Sequence, residues 1–238
     1  MSDATEQAPV IEARNLSAGY SGLAAVRDLD LHVRPGEVVG LLGANGAGKT
    51  TTMLALSGEL APMSGEVRFM GEVSRGSLAK RARQGLALVT EEKSVFMRLT
   101  AAENLRLGRG GVERALEIFP QLREHLGRRA GLLSGGQQQI LTLARALAAD
   151  PGILLVDELS LGLAPIIVQQ LFEVIRRAAD ERGVGVLLVE QHVRSALEVA
   201  DRLYILQRGR CVLQGTANEL RESLDVVERS YLSGEGKL

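Results

Sequence analysis

The segment Gly43-Ala44-Asn45-Gly46-Ala47-Gly48-Lys49-Thr50, continued by Thr51, constrains this chain more than any other. A short apolar run, Glu37 to Leu42, enters it, and a helical stretch from Lys49 to about Leu56 leaves it. A strand–glycine loop–helix unit of this kind is the full phosphate-binding loop pattern in its required context. The glycines let the backbone curl until several N–H groups point inward, and the helix N-terminus adds positive potential. Lys49 is then placed to reach the β- and γ-phosphates of a nucleotide, and Thr50 to offer its hydroxyl to Mg²⁺. A glycine-rich turn carrying a lysine by chance would not match every position between a strand and a helix.

The rest of the hydrophobic pattern extends the same alternation. Strands are expected at Ile11–Leu16, Val26–Val33, Gly65–Met70, Leu86–Thr90, Ile153–Val156 and Val184–Val189, with a hairpin from Leu203–Leu206 and Cys211–Leu213. The helix that opens at Lys49 should end at Gly58. A second runs from Ser134 to the Asp150-Pro151 pair, with Ile140, Leu143, Ala144 and Leu147 on one stripe. Pro165 opens a third, with Ile167, Leu171, Val174 and Ile175 on one face, and Val193 to Ala200 is a fourth. Thr100 to about Leu133 also reads as helical, started by a Thr100–Glu103 capping box and interrupted by Gly and Arg. Alternating strands and helices give an α/β sandwich with a largely parallel sheet. A helical insertion begins near residue 92 and, counting the helix after Ser134, reaches about 150. Residues 10–238 are read as one domain behind a flexible N-terminus of residues 1–9, without internal repeats.

Composition limits what such a domain does. The 238 residues are 45% hydrophobic but 3% aromatic, so the core must lean on Leu, Val, Ile and Ala. A formal net charge of -1 supplies no global attraction to nucleic acid or anionic lipid, and no nucleic-acid partner is expected. The basic cluster Lys80, Arg81 and Arg83 is expected to be a solvated helix face. Cys211 is the single cysteine, so no internal disulfide forms, which fits a reducing compartment. Met1–Pro9 is polar and acidic, unlike a secretory leader. No apolar run approaches the ~20 residues a membrane-spanning helix needs. Any membrane role has to come through a partner.

Further segments carry chemistry. Ile153-Leu154-Leu155-Val156 is an apolar strand ending in Asp157 and Glu158. Asp157 suits a carboxylate that holds Mg²⁺, and Glu158 one that takes a proton from the water attacking the γ-phosphate. Leu133-Ser134-Gly135-Gly136-Gln137 makes an N-terminal capping box. A serine hydroxyl, glycine N–H groups and a helix dipole at that point also make an anion site. A second anion-binding helix start exceeds the need of one nucleotide in a monomer, which suggests that it serves a nucleotide held by another subunit.

With these segments in that order, the chain resembles the ATP-binding subunits of ABC transporters from about Ile11 onward. The resemblance implies a P-loop NTPase of the ABC ATPase type: a largely parallel sheet core, an antiparallel β region and a helical subdomain. It implies two such subunits, either identical or paralogous, facing head to tail, each signature Ser134–Gln137 closing over ATP on the partner's phosphate loop. By the same resemblance Tyr20 stacks on adenine, and Leu161 and Gly162 cross between subunits. Transmembrane permease subunits, and indirectly a substrate-binding protein, would complete the assembly on the inner face of the membrane.

Some positions depart from the common family pattern. Glu91 stands where a glutamine usually reaches Mg²⁺, and Leu159 where proline usually precedes Ser160. Family spacing places Gln191 at the switch position beside the γ-phosphate, while side-chain chemistry favours His192. Glu91, the Ser160–Ile166 segment, Val189-Glu190-Gln191 and a tail near Tyr231-Leu232 look like the second ATPase of branched-chain amino-acid importers. Urea and short-amide importers share much of this pattern. A soluble ABC ATPase would carry two cassettes or a long coiled coil, and a phosphotransferase would leave Ser134–Gln137 without a role.

Overall fold

The computed structural model describes residues 7–92 and 94–222. Most of the expected flexible N-terminus (residues 1–6) and the tail near Tyr231-Leu232 lie outside the described residues. The chain opens with a hairpin, β1 (Ile11–Tyr20) and β2 (Leu23–Val33), and β3 (Val38–Leu42) then leads into α1 (Lys49–Ser57). Next come β4 (Ser64–Phe69), β5 (Glu72–Val73), α2 (Leu78–Arg83) and β6 (Leu86–Val89). A helical stretch follows: α3 (Ala101–Arg106), α4 (Gly111–Ile118), 3-10 turns at Pro120–His125 and Ala130–Leu132, and α5 (Gly135–Ala148). The chain returns through β7 (Ile153–Asp157), α6 (Pro165–Arg182), β8 (Gly185–Glu190) and α7 (Val193–Val199). It then forms β9 (Arg202–Gln207), β10 (Arg210–Thr216) and α8 (Ala217–Glu222).

β3, β7 and β8 are buried at every position, which strands sustain when both faces of their sheet are covered. Among the described residues they occupy the middle of a six-stranded sheet ordered β10-β9-β3-β8-β7-β6. All of its pairs are parallel except β9–β10 at the edge. Alternate side chains feed opposite faces. Val38, Leu42, Leu154, Val156, Val186 and Leu188 pack with helical residues such as Leu143, Leu147, Leu171 and Ile175. Val39, Leu41, Ile153, Leu155, Leu187 and Val189 pack with Met53 and Leu56 of α1. Leu16, Leu29 and Val67 of an antiparallel sheet ordered β2-β1-β4-β5 join that second core. The mixed architecture is therefore the expected one.

β10 is longer than the expected Cys211–Leu213, β5 and α8 are additional elements, and two stretches need a physical account. The first hairpin runs to Tyr20 and restarts at Leu23, because Ser21 and Gly22 adopt φ of 51° and 81°. Two successive left-handed residues make the tight turn whose twist matches that of paired strands. The expected helix from Thr100 to Leu133 is broken into short pieces. Its capping box is present, with Glu103 N–H donating to Thr100 Oγ1 at 3.2 Å. The chain leaves α3 at Leu107 and enters α4 from Gly110, whose absent Cβ would lie 1.8 Å from the Ala148 carbonyl oxygen. A close approach of α4 to α5 thus depends on glycine there.

The basic cluster is corrected in part. Lys80 and Arg83 are exposed, but Arg81 is 1% exposed. Its guanidinium donates to Ala55 O at 3.1 Å, to Leu56 O, to Ser74 O at 2.8 Å and to Ser74 Oγ at 3.1 Å. The last carbonyls of a helix have no partner within it, and here a buried cation supplies one to α1. Sequence periodicity does not tell which of three neighbouring cations turns inward. Replacing Arg81 by Ala should destabilise the fold by about 2–4 kcal/mol, since Leu56 O loses this charged donor and Ala55 O keeps only the Gly58 N–H at 3.2 Å. Thermal unfolding of the purified chain checks this; an unchanged midpoint would refute it.

Candidate nucleotide site

Parallel strands end at the same edge of a sheet, and the order β3-β8-β7-β6 sets four loops side by side there. They carry, in that order, the phosphate loop, Gln191, Asp157 with Glu158, and Glu91. In the first of these loops Gly48 has φ of 104°, and a Cβ on it would sit 2.8 Å from the Ala25 carbonyl oxygen. Gly48 caps α1 without any side-chain hydrogen bond, so the first-turn N–H groups remain available to an anion. Asn45 and Gly46 form the exposed tip, while Gly43, Ala47 and Thr51 are buried and Ala44 is half-buried.

Lys49 is 4% exposed. Its Nζ donates to Gly43 O at 2.8 Å and Ala44 O at 3.3 Å and lies 3.7 Å from Glu158 Oε1. Glu158 Oε1 also accepts from Gln191 Nε2 at 2.6 Å. Glu158 holds a left-handed backbone, φ 47°, fixed in part by its N–H donating to Val189 O at 2.9 Å. Non-glycine residues adopt such angles where the surroundings over-determine them, and functional sites are enriched in them.

Thr50 Oγ1 donates to Asp157 Oδ2 at 3.2 Å. The other Asp157 oxygen is buried without a hydrogen-bond partner. Burial is the main cause that pushes the Asp157 carboxyl up to about 6; Thr50 opposes it, Glu158 adds repulsion, Lys49 opposes and Glu91 adds more repulsion. A hydroxyl, a carboxylate and an orphaned carboxylate oxygen suit a small hard cation whose other positions go to phosphate oxygens and water. Among the described residues no group of three or more His, Cys, Asp or Glu gathers to hold a metal on protein ligands. Thr50 and Asp157 thus fit Mg²⁺ delivered with a nucleotide. Glu91, exposed just past β6, belongs to the same edge, since Val89 of β6 pairs with Val156 of β7.

The remaining candidates lie further out. Tyr20 is 53% exposed at the end of β1. Its hairpin adjoins the phosphate loop: Arg27 N–H donates to Gly209 O at 2.7 Å, and Gly209 N–H to Ala47 O at 3.0 Å. His192 is exposed at the start of α7, and the side chain that reaches Glu158 is that of Gln191. At the head of α5, Gln137 N–H donates to Ser134 Oγ at 3.2 Å and Ser134 N–H to Gln137 Oε1 at 2.9 Å. Gln137 also meets His125 Nε2 at 3.0 Å through its amide. Gly135 is exposed, and a Cβ on Gly136 would press on Ile167 at 3.2 Å. α5 packs on the sheet face opposite α1, so Ser134–Gln137 and the phosphate loop are on different sides of one subunit.

Sequence reasoning missed several polar residues. Asn104, fully buried, accepts from Phe96 N–H at 2.9 Å and donates to Phe96 O at 3.1 Å, fixing the loop that starts at Glu91. Arg145 of α5 donates to Ser94 O at 2.5 Å and stands over the Phe96 ring at 5.9 Å. Glu190 and Ser160 join the ends of β8 and β7. These partners are 8, 51 and 30 residues apart, and no local signal marks them.

Among the described residues no helix is long and apolar enough to cross a membrane. A family model described as ABC transporter matches residues 26–160. The chain is 43% identical over 229 residues to the high-affinity branched-chain amino acid transport ATP-binding protein BraG of Pseudomonas aeruginosa, 92% of this chain and 97% of that one. It is 36% identical over 240 residues to the lipopolysaccharide export system ATP-binding protein LptB of Escherichia coli K12, 96% of this chain and 99% of that one. A solved dimeric structure of an ATP-binding cassette in a post-hydrolysis state, bound to ADP and Pi, matches with TM-score 0.78 and 25% identity. That match covers 87% of this chain and 98% of the other. The family match spans more than half of a chain whose fold and phosphate loop agree with it, so this chain belongs to the ABC transporter family, as a subunit that binds and hydrolyses ATP.

Proposed function

We propose that this subunit drives a branched-chain amino-acid importer by hydrolysing ATP between two cassettes packed head to tail. The observation that carries the chemistry is the cluster in which Lys49 and Gln191 converge on one oxygen of Glu158, beside the Thr50–Asp157 pair. Lys49 exchanges the Gly43 and Ala44 carbonyls for β- and γ-phosphate oxygens, while the N–H groups of Gly43–Thr51 cradle the phosphates. Thr50 and Asp157, with Glu91 nearby, would hold Mg²⁺, which would supply charge neutralisation for the phosphates. Glu158 takes the proton of the attacking water, and the Gln191 amide orients its carboxylate. Tyr20 offers its exposed ring to the adenine.

The head of α5 supports the dimer. Ser134, Gly135, Gly136 and Gln137 lie on the sheet face away from the subunit's own phosphate loop, so their natural anion is ATP held by a second cassette, identical or paralogous. Permease subunits anchor the pair at the inner face of the membrane and connect it indirectly to a substrate-binding protein. Similarity to BraG over nearly the whole chain favours branched-chain amino acids as cargo. Similarity to LptB over 96% of the chain favours, as a second reading, export of a lipid-linked polysaccharide. A urea or short-amide importer is a third candidate, on the sequence pattern alone.

Glu158→Gln keeps the shape of the site and removes the base. It should bind ATP normally and slow steady-state hydrolysis by about 10²–10⁴-fold. Turnover equal to wild type would move the base elsewhere. Gln191→Ala should damage hydrolysis more than His192→Ala, since Gln191 contacts Glu158 and His192 is exposed. The reverse ranking in the same assay would transfer the role to the histidine. For the cargo, deleting the gene should reduce uptake of labelled leucine, isoleucine or valine. Wild-type protein should restore uptake, and Lys49→Ala protein should not. Intact amino-acid uptake with a loss of urea or short-amide uptake, or of lipopolysaccharide at the cell surface, would keep the ATPase and replace the cargo.

A further inference from the structure

Glu190 ends β8 and is 1% exposed, and a carboxylate in such a place needs donors for its oxygens. Ser160 supplies two. Its backbone N–H donates to Glu190 Oε1 at 3.1 Å and its hydroxyl to Oε2 at 2.7 Å. Burial raises the Glu190 carboxyl above its usual range, and both Ser160 bonds work against that rise. The placement is informative. Ser160 is two residues after Glu158, and Glu190 immediately precedes Gln191. The Ser160–Glu190 grip and the Gln191–Glu158 bond of 2.6 Å are therefore two rungs between the same two segments. Those segments leave strands already paired at Asp157 and Val189.

The turn after β7 has a reason to be gripped. A left-handed non-glycine residue such as Glu158 is strained and persists only under restraint from its surroundings. Leu159 follows it without the ring by which a proline would lock φ covalently, so packing and hydrogen bonds have to hold the backbone there. The N–H of Glu158 on Val189 O is one restraint, and the bidentate hold on Ser160 is the next along the chain.

We propose that Glu190 is a positioning residue for ATP hydrolysis, which acts through Ser160 to fix the turn at residues 158–160 and so presents the Glu158 carboxylate to Gln191 and the attacking water. The inference rests on Glu158 as the base. Glu190 itself touches no reacting atom.

The test is steady-state hydrolysis by the full chain, with kcat and KM resolved, for Glu190→Ala, Ser160→Ala, their double variant and Glu190→Gln, beside Glu158→Gln. Each alanine variant should lower kcat roughly tenfold or more with KM for ATP within about twofold, the signature of an interaction needed in the transition state. The double variant should be no slower than the slower single variant, because one interaction is lost once. Glu190→Gln keeps an acceptor for Ser160 and should recover most of the rate. If Glu190→Ala does not fold, Ser160→Ala, which removes a single hydroxyl, decides in its place. Unchanged kcat in the folded alanine variants, or losses that multiply in the double variant, would overturn the proposal. Normal turnover of Glu190→Ala beside a slow Glu158→Gln overturns positioning alone, whereas a fast Glu158→Gln removes the base assignment and this proposal with it.

Discussion

The site is organised around a buried ammonium. Lys49 is taken almost wholly out of water, and an unpaired cation there would be prohibitively costly. Its partners come from two places: the carbonyls of its own loop and the carboxylate of Glu158 on another strand. The first demands a loop that curls back on itself, hence the glycines. The second demands that the ends of β3 and β7 lie one strand apart, with β8 between them. Gln191 at the end of that intervening strand completes the set, so the strand order and the charge balance of the site are one constraint.

The acids at this edge are held in tension. Asp157 carries a buried oxygen without a partner, and Glu158 and Glu91 repel its charge. With its pKa pushed up to about 6, above the ordinary value of 3.8, the folded state holds the Asp157 proton more tightly than the unfolded chain does. Stability from this group is therefore fully present below about pH 3.8 and is lost as pH rises through about 6. At neutral pH the ionised carboxylate is a penalty that a cation can relieve. The site trades stability of the free protein for affinity toward a charged ligand, which is the usual bargain of a functional edge.

Much of this was legible in the sequence because it is local. The phosphate loop, the capping boxes at Thr100 and Ser134, the Gly58 stop and the apolar strand before Asp157 are read from neighbours a few residues apart. The full length of the first hairpin is not legible, because small and polar residues around the Ser21-Gly22 turn hide its alternation. The burial of Arg81 is not legible either, because periodicity places a residue on a face and says nothing of what covers that face.

The α/β class, the phosphate loop with Lys49 and Thr50, the Asp157–Glu158 pair and the family membership all follow from the order of residues alone. Those features rest on backbone geometry and on short-range spacing. Which polar groups meet depends on the packed fold: Gln191 rather than His192 on Glu158, Arg81 on the last carbonyls of α1, Glu190 on Ser160, and Ser134 on the sheet face opposite the phosphate loop. These partners belong to different strands and helices. Their encounter depends on the order in which parallel strands stack, and that order is set by the packing of two apolar cores on opposite faces of one sheet.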